Sequence, residues 1–231
     1  MASSSNLRQQ KKGNGMKATI SQAYLPNLGR VYNFRYHDVR NQSTRLTARL
    51  SPEDRQVQSM PDTSPTKWHL GHTTWFFETF VLRPELADYR IFDPTFNYLF
   101  NSYYEAVGPR HLRAERGLIT RPTLEEVQAY RAHVDAAMAE FFDSASPEKL
   151  EEMCYLLELG LHHEQQHQEL ILMDIKHVLS RNPFGPCYRK KEPAAVFATH
   201  ELQWFQVPGG VYRIGHGDEG RFAFDNERSE H

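Results

Sequence analysis

In the run HHEQQHQE at residues 162–169, His163 and His167 stand four residues apart. On an α-helix that spacing puts two imidazoles on one face, about one turn apart. Two histidines placed so can share one metal ion. The same face carries Met153, Leu156, Gly160, Leu170, Ile171 and Asp174, which turns it toward a protein interior. Neutral imidazoles in a core need partners, and one metal ion satisfies both; a hydrogen-bonded pair is the plainer alternative. A third ligand is offered by WHLGH at 68–72, where His69 and His72 lie three apart on neighbouring faces. His72 shares a stripe with Trp68, Trp75, Phe76 and Thr79, and His69 groups with Thr73, Phe76 and Phe80. Spacing leaves both as candidates. His162 falls one residue off the ligand face, and His177 continues the stripe more than two turns from His163. Both read as supporting or surface residues, with Asp174 an acceptor behind a ligand.

HEQQH also spells H-E-x-x-H, in which Glu164 would be the general base of a zinc peptidase. The longer H-E-x-x-H-x-x-G-x-x-H form is absent, because Leu170 and Met173 stand where its Gly and third His belong. A glutamate ligand downstream would have to be Glu192 or later, outside any helix. A zinc metallohydrolase is therefore the alternative reading, alongside a metal-binding bundle without catalysis.

These residues need helices to hold them. Val31, Phe34, Val39, Leu46 and Leu50 are spaced for a first helix, which Ser51-Pro52 stops. Ser64-Pro65 should open a second, with Ser64 as cap and Pro65 as its first residue, running to about Arg83. Its sequence, KWHLGHTTWFFETFVL, is too apolar for a one-sided surface helix and belongs deep in a core. Residues 94–107 are aromatic and suit a short helix or an irregular crossing. TLEE at 123–126 is a capping box for a third long helix, with Val127, Tyr130, Val134, Ala137, Met138 and Phe141 on one face. Ser146-Pro147 begins the longest helix, to about Arg181. The expected fold is mainly α, a four-helix bundle over residues 29–182 with a long second-to-third connection. Residues 1–28 read as a disordered tail and 183–200, with three prolines and a basic run, as a linker. From Glu201, LQWFQVPGGVYRIG suggests strands on either side of a Pro-Gly-Gly turn, the opening of an incomplete α+β domain over 201–231.

Composition narrows the functional classes. Twenty-seven basic against 29 acidic residues give a net charge of −2, which argues against a general nucleic-acid binder. No apolar run reaches the roughly 18 residues of a membrane span, and the polar, basic N-terminus lacks the apolar core of a secretory signal. Two cysteines, Cys154 and Cys187, cannot build a disulfide framework. The expectation is a reducing, cytoplasmic setting, with small molecules as partners.

Three segments together carry a resemblance: SPTKWHLGHTTWFFE at 64–78, HHEQQHQELILMDIKH at 162–177, and WFQVPGGVYRIG followed by FAFDNERSEH across 204–231. They resemble the sulfoxide synthases of ergothioneine biosynthesis, nonheme iron enzymes with a DinB-like four-helix bundle and a formylglycine-generating-enzyme-like domain. The resemblance spans about residues 30–231. It implies Fe(II) as cofactor and O2 as co-substrate, with His72, His163 and His167 as ligands, and so separates His72 from His69. His69→Ala would then leave metal content near wild type. It implies that Gln166 contacts an imidazole-bearing substrate and that Glu164 supports the site rather than acting as a base. The implied reaction joins the sulfur of γ-glutamylcysteine or cysteine to C2 of histidine betaine (hercynine) and oxidises it to a sulfoxide; histidine is an alternative acceptor. Arg110, Arg113, Arg116 and Arg121 are candidates for a substrate carboxylate, Arg113 and Arg116 foremost. Tyr98, Tyr103 and Tyr104 read as aromatic core. Two departures stand out: Ser229 replaces the final Pro of the usual DNERP, and the second domain continues in the family well past this point, catalytic tyrosine included. On that reading, residues 201–231 should dock loosely and carbon–sulfur bond formation by this chain should be weak.

Overall fold

A computed structural model describes residues 27–102, 108–190, 201–217 and 222–227. Residues 1–26 of the expected tail, most of the linker, Tyr103, Tyr104 and Ser229 lie outside the described residues, and the first helix takes in Leu28, the last residue assigned to the tail. Four long helices build the bundle: α1 (Leu28–Thr47), α3 (Thr66–Phe77), α5 (Leu124–Ser144) and α6 (Pro147–Ser180). Both α5 and α6 pack against both α1 and α3. Two short helices, α2 (Pro52–Gln56) and α4 (Phe96–Phe100), lie in the connections.

The helix starts follow local chemistry. Thr123 and Glu126 form the expected capping box on α5, and Ser146 caps α6 from the backbone of Lys149. Ser51 and Asp54 make a further box, so Ser51-Pro52 ends one helix and starts another, the brief α2. At α3 the expected Ser64 cap is not made. The Ser64 N–H donates instead to Asp174 Oδ2 at 2.9 Å, and its hydroxyl accepts from Arg116 at 2.9 Å. Tertiary partners have taken the capping serine, and Pro65 stands at the cap position.

All twelve residues of α3 are buried, as its composition implied. The helix then widens into a π-helical turn, Glu78–Leu82, before a last turn at Arg83–Glu85. There Glu78 is buried and accepts from the hydroxyls of Tyr89 and Tyr130, at 2.7 and 2.6 Å. Where α6 crosses α3 it presents Gly160, and a Cβ there would overlap Phe76 and Phe77. Gly71 plays the same part for Phe100, whose ring lies where its side chain would be. Gly160 allows the close approach of α6 to α3 that carries their histidines together, and Gly71 admits Phe100 of α4.

The expected strands do not form among the described residues. Residues 201–217 hold no described helix or strand, bend at Gly209-Gly210, and leave Trp204 and Phe205 88% and 87% exposed. A strand needs a partner ladder; among the described residues His216 stands as an isolated bridge, its N–H donating to the Glu227 carbonyl at 2.9 Å. Phe222 does dock, stacking on His162 of α6 with centroids 4.2 Å apart. No described helix is long and apolar enough to cross a membrane.

Candidate metal centre

His72 comes from α3, and His163 and His167 from successive turns of α6. One side-chain nitrogen of each lies within 4.8 Å of the other two. Nε2 of His72 and Nε2 of His163 stand 3.2 Å apart. Two imidazole nitrogens bound to one ion at about 2.0–2.1 Å stand about 2.8–3.4 Å from each other, so this pair already has ligand spacing. His72 and His167 are buried and His163 is partly so.

Two of the three rings are fixed on their far side by a hydrogen bond. His72 Nδ1 lies 2.6 Å from the carbonyl of Phe100, which can only accept. The ring therefore carries its proton on Nδ1 and offers a lone pair at Nε2. His72 is also sandwiched between Trp68 and Trp75, centroids 4.5 and 5.7 Å away and planes within 15°. His167 turns Nδ1 to Nδ1 of His69 at 2.8 Å, and His69 Nε2 meets Asp174 Oδ2 at 3.0 Å. His163 differs: its buried Nδ1 has no hydrogen-bond partner, and its ring lies against Phe76, 5.1 Å between centroids.

Burial drives the proton affinity of all three down. Desolvation lowers His72 and His167 well below the usual histidine value, helped by the neighbouring histidines. It brings His163 to about 4, against an opposing pull from Glu164. A carboxylate cage would bring charge; this site brings three neutral nitrogen donors. Such a set suits a divalent first-row ion such as iron, zinc or nickel. The triad fits a metal by donor type, by protonation and by spacing.

Glu164 follows the clustered His163 in sequence but faces elsewhere. Its side chain is 1% exposed and meets Arg40 Nη1 at 3.0 Å, Arg131 Nη2 at 3.1 Å and the hydroxyl of Ser43 at 2.7 Å. Burial alone would raise its pKa, but Arg40 and Arg131 overcome that and hold it at about 2. Arg40 in turn binds Asp135, which also accepts from Tyr36. A carboxylate consumed by two guanidinium groups is no general base for water at the triad. The H-E-x-x-H peptidase reading loses its catalytic residue here.

The other expected residues distribute as follows. Gln166 is exposed on α6 between the two ligands in sequence. Arg113 is exposed and donates to the Asp62 carbonyl. Arg116 is 4% exposed: it donates to Ser64 Oγ at 2.9 Å and Ser102 Oγ at 3.1 Å, with its guanidinium 3.4 Å from the centre of the Trp68 ring. Arg110 donates to the Ser102 carbonyl, and Arg121 is exposed. His162 is partly buried beside Phe222, and His177 Nδ1 pairs with Ser59 Oγ at 2.7 Å. Asp174 is the acceptor anticipated behind a ligand, acting through His69. Sequence reasoning missed Arg40 and Arg131. Arg131 falls in register with Val127, Val134 and Met138, and a charge inside an apolar stripe was its signal.

Fold and site together define a class: a four-helix bundle with a three-histidine centre between its second and fourth long helices. The sequence matches the DinB superfamily over residues 35–171, and the chain belongs to that superfamily. The matched span contains all three clustered histidines, together with His69. No curated protein matches the chain.

Proposed function

We propose that this protein is a nonheme iron enzyme, an Fe(II)- and O2-dependent sulfoxide synthase. It would join a thiol, γ-glutamylcysteine or cysteine, to C2 of histidine betaine. The overall reaction balances with O2 as the oxidant: the thiol S–H and the ring C–H are lost, one oxygen atom enters the sulfoxide and the other leaves as water. The observation that carries this reading is the all-histidine, charge-neutral ligand set of His72, His163 and His167 on two helices of a DinB-type bundle. Iron(II) in such a site supplies redox chemistry with O2 and keeps coordination positions for substrates.

The chain's own residues then have separable tasks. Trp68 and Trp75 hold the His72 ring by stacking on both faces, and the packed walls of α3 exclude water. Gln166, exposed one residue before His167, would hydrogen-bond the imidazole ring of the acceptor on this reading. Of the two foremost arginines, Arg113 is the exposed one and would receive a substrate carboxylate. Arg116 can contribute only if substrate displaces its contacts to Ser64 and Ser102.

The test is oxygen uptake by the Fe(II)-loaded protein with γ-glutamylcysteine or cysteine plus histidine betaine, and mass detection of the sulfoxide. Uptake that requires both substrates supports the reading. One bound metal ion without substrate-dependent uptake would leave a metal-binding bundle and overturn the enzymatic assignment.

A further inference from the structure

The two buried ligands are oriented from behind by different means. His72 leans on a backbone carbonyl, whereas His167 leans on another histidine, with Nδ1 facing Nδ1 at 2.8 Å. Two nitrogens at that distance need one proton between them, and the question is which ring owns it.

The answer starts at Asp174. Its Oδ2 accepts from the backbone N–H of Ser64 at 2.9 Å and lies 3.0 Å from His69 Nε2. Oδ2 takes the Ser64 N–H and is therefore an acceptor, so His69 carries its proton on Nε2. Neutral His69 therefore presents a bare Nδ1, and the shared proton belongs to Nδ1 of His167. The lone pair of His167 is thereby left at Nε2. Ser64 lies just before α3, and Asp174 is two turns beyond His167 on α6. The chain Ser64–Asp174–His69–His167 thus locks the register of the two helices that carry the ligands.

We propose that His69 is a positioning residue of the metal centre: with Asp174 it fixes the tautomer and ring orientation of His167, so that Nε2 is presented for coordination. The inference rests on the metal reading of the triad. It also replaces the expectation that loss of His69 leaves metal binding untouched. His69 lies outside the mutually close cluster of His72, His163 and His167, but the ligand His167 depends on it. Partners behind a ligating histidine typically contribute about 10–100-fold in metal affinity.

The probe is Co2+, titrated into the purified chain in competition with a chromophoric chelator, with circular dichroism as a folding check. His69→Phe keeps a ring in the core but offers no acceptor. It should bind Co2+ about 10–100-fold more weakly than wild type while still reaching one ion per chain. His69→Asn can place a carbonyl oxygen near the former Nδ1 and should recover most of that loss. Asp174→Ala, which frees the far end of the chain, should weaken binding in the same direction if the phenylalanine variant fails to fold. A second readout needs no metal: nitrogen-15 spectra of the imidazoles should show His167 protonated at Nδ1 in wild type and as mixed tautomers in His69→Phe. Unchanged affinity and tautomer in folded His69→Phe would overturn the proposal, as would an asparagine variant no better than the phenylalanine one. A wild-type chain that binds no Co2+ would refute the metal reading, and the His167 tautomer would then decide the positioning role by itself.

Discussion

Arg40 and Glu164 meet at 3.0 Å in the bundle interior, with side chains 2% and 1% exposed, one residue along α6 from the ligand His163. The pair separates two functions within five residues of sequence. In HEQQH the two histidines turn to α3, while the glutamate turns to α1 and α5 and joins Arg40, Arg131 and Ser43. Burying two guanidinium groups is tolerable only because Glu164 and Asp135 compensate them.

Glu164→Gln is therefore a stability variant. Removing the charge leaves Arg40 and Arg131 under-compensated, and breaking a buried pair from one side costs about 3–5 kcal/mol. Chemical denaturation should show that loss, while the folded variant retains one metal ion per chain. A fully stable variant that has lost its metal would show that Glu164 belongs to the metal site.

Single alanine substitutions of His72, His163 and His167 should each weaken divalent-metal binding by more than the roughly 100-fold upper end expected for residues behind ligands. His177→Ala should leave affinity within a factor of two or three, since its Nδ1 is paired with Ser59 rather than with the cluster. Equilibrium competition with a chelator measures both. An equal loss from His177→Ala would mean that the ligand set has been misread.

The parts of this site that were legible in the sequence are the local ones. An i, i+4 histidine pair fixes its own geometry through helix pitch, and the Thr123 and Ser146 caps announce their helices. His69 against His72 was not decidable from spacing, because every position of α3 is buried and periodicity marks no face. The choice depends on contacts 91 to 105 residues away along the chain, His163 for one ring and His167 and Asp174 for the other. The Phe100 carbonyl left no trace at all, being backbone. Ser64 misled for a related reason: a cap is a local preference worth about 1 kcal/mol, and tertiary bonds to Asp174 and Arg116 outbid it. The β-rich texture of LQWFQVPGGVYRIG encodes a preference that no described partner strand realises.

Alkaline pH should unfold the bundle through its buried tyrosines. Tyr36 and Tyr130 are pushed well above the usual tyrosine pKa, chiefly by burial; Asp135 beside the first and Glu78 beside the second add to this. An unfolded chain ionises tyrosine near pH 10 and the native state does not. The stability from these groups is thus complete below pH 10 and is lost as pH rises above it, by about 1.4 kcal/mol per tyrosine per pH unit. Phenolate absorbance from Tyr36 and Tyr130 should appear together with loss of the helical circular dichroism signal. Their ionisation near pH 10 in a still-helical protein would contradict the burial argument.

The last prediction concerns Gly71, which precedes His72 in the chain but has no side chain to offer a metal or a substrate. A Cβ at this position would overlap the ring of Phe100. Phe100 cannot simply swing away, because it is 1% exposed and packs edge-on against Phe96, centroids 5.2 Å apart. Its backbone carbonyl also accepts the His72 Nδ1 proton at 2.6 Å. Gly71→Ala should therefore do two things at once. Overpacking should cost about 1–3 kcal/mol of stability, and displacement of the carbonyl should release His72 from its fixed tautomer and weaken metal binding toward the 10–100-fold range of lost supporting contacts. Shrinking the obstructing ring separates this from a general loss of stability. Gly71→Ala with Phe100→Leu should regain metal affinity relative to Gly71→Ala alone, because the carbonyl can return once the ring no longer collides with the new methyl group. The four proteins form a double-mutant cycle, and the predicted coupling is favourable and at least 0.5 kcal/mol. Additive effects on metal affinity would mean that the Phe100 carbonyl does not govern His72, and the account of how that ligand is held would have to be abandoned.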